Sequence, residues 1–128
     1  MKPSILSLAA AFGLAAALIA SPASAGAGHG PQHGGVAREV KSVTYELVAK
    51  PDSLTLYVSN HGKALSTEGA TAEAVIYAGN EKIPVTLAPA GDNRMVAKGS
   101  FRTGVGVRVA ITATLAGKPA ARVSFSLK

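Results

Sequence analysis

Three histidines, His29, His33 and His61, are the side chains of this 128-residue sequence best suited to chemistry. His29 and His33 stand four apart in GHGPQHGG (Gly28–Gly35), and His61 lies in NHGK (Asn60–Lys63). None falls on the apolar side of an alternating run, so none reads as a core histidine. Gly-flanked polar segments leave the imidazole accessible, and neutral imidazole suits Zn²⁺, Cu²⁺ and Ni²⁺. His29 and His33 alone are too few for a closed tetrahedral site. His61 completes a third position if the segment folds back, with Glu39, Glu68 and Asp92 as possible oxygen donors. The competing reading is a loose leader that carries incidental imidazoles.

Other chemistry is poorly served. The chain has no cysteine, which excludes thiolate metal sites, thiol redox chemistry and disulfide staples. Beyond the leader there is one methionine, Met95, too few for a Met-rich Cu(I) site. No G-x-S-x-G elbow, paired carboxylates, phosphate-binding glycine loop or dinucleotide fingerprint occurs. A non-enzymatic role is expected.

The N-terminus has the layout of a secretory signal peptide over residues 1–25. Lys2 supplies charge, ILSLAAAFGLAAALIA (Ile5–Ala20) is apolar, and SPASA ends in Ala23 and Ala25, the small-residue cleavage positions. A span needs about 20 apolar residues, so cleavage is favoured over an anchor, and no stable membrane span is expected afterwards. Without Lys2 the rest carries 12 Lys+Arg against 7 Asp+Glu, a formal +5. Export makes nucleic acid an unsuitable partner. The cations are spread over many strand-like runs, and Arg102, Arg108 and Arg122 read as solvated strand faces. Cleavage also places an amine near His29. A cut after Ala25 leaves Gly26-Ala27-Gly28-His29, and a cut after Gly26 leaves Ala27-Gly28-His29. In the latter, amine, two backbone amides and imidazole form a square-planar nitrogen set for Cu²⁺ or Ni²⁺.

These ligands need a scaffold, and the remaining sequence supplies strands. VTYELVAK (Val43–Lys50), LTLYVSN (Leu54–Asn60), AEAVIYAG (Ala72–Gly79), KIPVTLA (Lys82–Ala88), VRVAITATL (Val107–Leu115) and ARVSFSLK (Ala121–Lys128) are short, strand-like runs, most with period two. MVAKGSF (Met95–Phe101) adds another, with Gly99 as a candidate bulge. KPDS, NHGK, AGNEK, PAGDN and AGKP separate them with turn residues. Seven or eight antiparallel strands and no helix predict an all-β domain over 36–128. An Ig-like β-sandwich comes first and a small closed barrel second. Residues 26–35 read as a flexible Gly/His-rich leader.

One resemblance follows from longer stretches. HGGV (His33–Val36), YELVAKPDSLTLYVSNHGKALSTEGATAEAVIY (Tyr45–Tyr77) and LAPAGDNRMVAKGSF (Leu87–Phe101) together resemble small periplasmic proteins of Gram-negative bacteria. They are also similar to a module of the periplasmic adaptor subunits of heavy-metal efflux systems. The resemblance implies an Ig-like sandwich in the periplasm and a link to copper, zinc or related cations. Members of that group often carry more histidines before HGG, and Asp where this chain has Asn60. The expectation is a periplasmic, non-enzymatic accessory protein that buffers or delivers Cu²⁺, Zn²⁺ or Ni²⁺ through His29, His33 and His61. Its partner would be a metal-efflux adaptor or another envelope protein. The alternative is a structural or interaction module with no metal role.

Overall fold

In the computed structural model, residues 30–128 are described; the segment 1–25 expected to be a signal peptide, and His29, lie outside them. Nine strands follow in order: β1 (Val36–Val40), β2 (Val43–Lys50), β3 (Ser53–Asn60), β4 (Lys63–Ala64), β5 (Thr71–Ala78), β6 (Glu81–Pro89), β7 (Arg94–Lys98), β8 (Arg108–Thr114) and β9 (Ala121–Ser126). All ladders are antiparallel, and no helix occurs among the described residues.

Alternation sets which side of each strand faces inward. In β3, Leu54, Leu56 and Val58 are fully buried while Thr55, Tyr57 and Ser59 are half-exposed. In β8, Val109, Ile111 and Ala113 are buried, and in β9 Val123 and Phe125 are. Tyr45 also points inward from β2, and burial raises the pKa of its phenol. The expected runs are therefore strands, and their apolar sides form one core.

The hydrogen-bonded order is β1-β2-β3-β7-β6-β5-β8-β9, with β4 added on β3. β6 joins the two halves. Its Leu87-to-Glu81 part pairs with β5, while Ala88 and Pro89 pair with β7. The end strands β1 and β9 lie side by side without a ladder between them, so the sheet nearly closes on itself.

Two strands were not foreseen. β1 is short and only partly buried, and the two-residue β4 is exposed, so neither has a strong period-two signature. Gly99 lies just past the end of β7 and is not a bulge within it. Its N–H donates to the Asp52 carbonyl at 3.1 Å, and Phe101 N–H donates to Pro51 at 2.8 Å. This loop is thereby tied to the β2–β3 turn.

Candidate functional site

β2 departs from simple alternation. Its residues Val43 to Leu47 are all buried, including Thr44 and Glu46, which point away from the core. Three backbone groups from the segment before β1 cover Glu46. Gln32 N–H donates to Glu46 Oε1 at 2.9 Å, and His33 N–H and Gly35 N–H donate to Oε2 at 2.8 Å each. His33 Nδ1 makes a fourth bond, 2.9 Å from Oε1. The Glu46 side chain is 4% exposed, while His33 remains 41% exposed.

The local sequence makes this contact possible. Lys41 and Ser42 form a two-residue turn with φ of 50° and 70°, the positive pair that suits a tight hairpin. That turn sets Val36 opposite Leu47 and Ala37 opposite Glu46. Gly34 takes φ +81°, which turns the chain back across β2. Gly35 then lies so close to β2 that a Cβ would sit 2.3 Å from the Leu47 carbonyl oxygen. In His-Gly-Gly, one glycine supplies the bend and the other the close approach.

Tyr57 forms the floor. It pairs with Glu46 across β2 and β3, so both project on the same outer face. The His33 ring stacks on it, with centroids 3.6 Å apart and planes within 2°. Imidazole is thus fixed by a ring beneath and a carboxylate at its edge.

The charge state follows from the same contacts. Burial alone would raise the Glu46 pKa, but the bond from His33 and the N–H groups of Gln32, Gly35 and His33 outweigh it. The net effect holds Glu46 below the usual glutamate range, so it is an ionised acceptor near neutral pH. An ionised carboxylate can only accept, so Nδ1 of His33 is assigned a proton; whenever the ring is neutral, the lone pair is therefore on Nε2.

His61 is placed differently. It opens the two-residue turn between β3 and β4, with φ of 50°, and is exposed. The next residue, Gly62, borders the same cavity as His33, Glu46, Tyr57 and Asn93, a space of about 240 Å³. His33 and the His61 turn therefore flank one depression, although 28 positions separate them in sequence. The oxygen donors considered above lie elsewhere. Glu39 is on β1 opposite Thr44, and Glu68 and Asp92 line a different cavity. Among the described residues, no three His, Asp or Glu side chains converge as a ready metal cluster.

Glu46 is the residue that sequence reasoning missed. As one of the polar partners of Val43, Tyr45 and Leu47, it looks like any solvated strand acid. The available signal was the Lys41–Ser42 turn, whose register brings Glu46 near HGG. The segment expected to be a flexible leader is, from Gln32 to Gly35, held by that carboxylate. No protein-family model, no curated protein and no solved structure matches the chain.

Proposed function

We propose that the chain is a periplasmic, non-enzymatic accessory protein that binds Cu²⁺, Zn²⁺ or Ni²⁺ and passes it to an envelope partner such as a metal-efflux adaptor. The observation that carries this reading is the bond between His33 Nδ1 and the buried Glu46 carboxylate. Metal-ligating histidines commonly donate their second ring N–H to a carboxylate, which fixes the tautomer and raises ligand basicity. Here that leaves Nε2 of a half-exposed ring as the free donor. His29, four residues earlier, and His61, on the turn beside the cavity, are the further imidazoles proposed to complete the ion's ligands. Such a site is open, which suits exchange of the ion better than storage.

We read the nearly closed sheet as an Ig-like sandwich whose halves meet at β6, consistent with the resemblance to efflux-adaptor modules. The alternative, a module that binds partners through a strand edge, would use the exposed β4 or the unladdered edges of β1 and β9.

Tyrosine emission tests the reading, because the chain has no tryptophan. Tyr57 lies under His33, whereas Tyr45 is buried and Tyr77 is at the far end of β5. Cu²⁺ bound at Nε2 is expected to quench Tyr57 saturably, and both Tyr57→Phe and His33→Ala should abolish that component. Equal quenching of wild type and His33→Ala would refute the assignment.

A further inference from the structure

The fold gathers charge that the sequence disperses. Six basic side chains, Lys50, Lys82, Lys98, Arg102, Arg108 and Lys128, come to one end of the sheet. Strand direction puts them there. Lys50 ends β2, Lys98 ends β7 opposite Ser53, Lys82 and Arg108 flank Tyr77 at the end of β5, and Lys128 follows β9. Among the described residues only the Asp52 and Glu81 side chains oppose them at that end, and Glu81 is already paired with Arg102 at 3.5 Å. The opposite end is near balance, with Lys41, Lys63, Arg94 and Lys118 against Glu39, Glu68 and Asp92.

Two further features belong to the basic end. Lys82 Nζ and Arg108 Cζ approach the Tyr77 ring, at 5.7 and 5.0 Å from its centroid. Among the described residues neither cation has a carboxylate within ion-pair distance. Tyr77 and Arg108 line a cavity of about 400 Å³ together with Gly79, Gly106 and Ser126. Beside it the chain makes a turn, closed by Val107 N–H donating to the Gly104 carbonyl at 3.2 Å. Val105 sits at its tip and is 88% exposed, the one large apolar side chain so exposed among the described residues. Gly106, with φ +93°, supplies the conformation the turn needs.

We propose that this end docks on the headgroups of an anionic lipid bilayer. The cations meet the negative surface, Tyr77 lies at headgroup level, and Val105 reaches the acyl boundary. A soluble polyanion would account for the cations but would leave Val105 in water. The bilayer uses both, which favours it. The inference rests on charge and exposure and not on metal binding; His33 lines a depression shared with Lys50, Gly104 and Lys128 at that end, so the vesicles are assayed with a chelator present.

The test is co-sedimentation with vesicles of phosphatidylcholine alone and of phosphatidylcholine with about one-third phosphatidylglycerol. The full chain is used, with its N-terminus fixed by intact mass, so any leader contribution is common to all variants. Wild type should bind only the anionic vesicles and be released as salt rises from about 0.05 to 0.5 M. Lys82→Gln with Arg108→Gln should weaken partitioning by about tenfold to thirtyfold, at roughly fivefold per cation. Val105→Ser, which removes no charge and buries nothing, should weaken it severalfold. Circular dichroism confirms that each variant folds. No binding to anionic vesicles, or binding that survives the double substitution, overturns the proposal. Binding unchanged by Val105→Ser and competed fully by soluble polyphosphate would identify a plain polyanion site instead.

Discussion

His33-Gly34 and His61-Gly62 are the same dipeptide, and both glycines take a positive φ, 81° and 84°. Their histidines end up in opposite situations. At the first, the bend folds the chain over β2 and lays imidazole on Tyr57 against a buried carboxylate. At the second, His61 is itself a turn residue with φ of 50°, exposed on a hairpin where Asn or Gly would serve. The difference lies in what strand register places beneath each step. Glu46 and Tyr57 are cross-strand neighbours on the outer face. The His61 turn only borders the depression they form.

Damage at the first step should therefore far exceed damage at the second. Gly35→Val is expected to have the largest effect. Its side chain would meet the Leu47 carbonyl, so the segment must leave β2. Overpacking of this kind costs about 1–3 kcal/mol. A lowered melting temperature and new protease cleavage before β1 would show it.

Glu46→Gln follows. It keeps the shape but removes the charged acceptor for three backbone N–H groups and Nδ1. We expect a stability loss of about 1–2 kcal/mol in urea titration. Metal affinity should fall about 10- to 100-fold, the usual effect of losing a carboxylate behind a ligating histidine.

Acid should erase the advantage of Glu46. Its folded-state pKa is lowered, so its contribution is complete above the unfolded value and is lost as pH falls through the folded one. Melting curves of wild type and Glu46→Gln should therefore differ near neutral pH, begin to converge below the ordinary glutamate value of about 4.3, and meet only once pH is below the lowered folded value. A constant gap across that range would contradict the assignment.

The smallest effect belongs to His61→Asn. Asn tolerates a positive φ, so stability should change by less than about 0.5 kcal/mol. A cost comparable to Glu46→Gln would mean that the two steps are more alike than their geometry indicates.

Much of the scaffold was legible because period two marks the buried side of a strand directly. Leu54, Leu56, Val58 and Val109, Ile111, Ala113 could be assigned to the core from spacing alone. Glu46 could not, because alternation says which way a side chain points and nothing about what later covers it. Its cover comes from a segment 11 to 14 residues away, whose glycines read equally well as linker. The basic end was hidden for a related reason. Lys50, Lys98 and Arg108 are far apart in sequence and meet only because antiparallel strands bring their ends together. In the His-Gly-Gly step the imidazole is the conspicuous feature of the sequence, while the glycines explain why that imidazole is held.

We propose that His33, oriented by Glu46, is the principal metal ligand. Isothermal titration of Cu²⁺, Zn²⁺ and Ni²⁺ into wild type, His33→Ala, Glu46→Gln and His61→Ala tests it most directly. The account predicts wild-type binding tighter than about 1 mM, roughly −4 kcal/mol, for at least one ion. That binding should be lost in His33→Ala, be weakened about 10- to 100-fold in Glu46→Gln, and fall less in His61→Ala. Wild-type binding no tighter than about 1 mM, or equal affinity in wild type and His33→Ala, would contradict it.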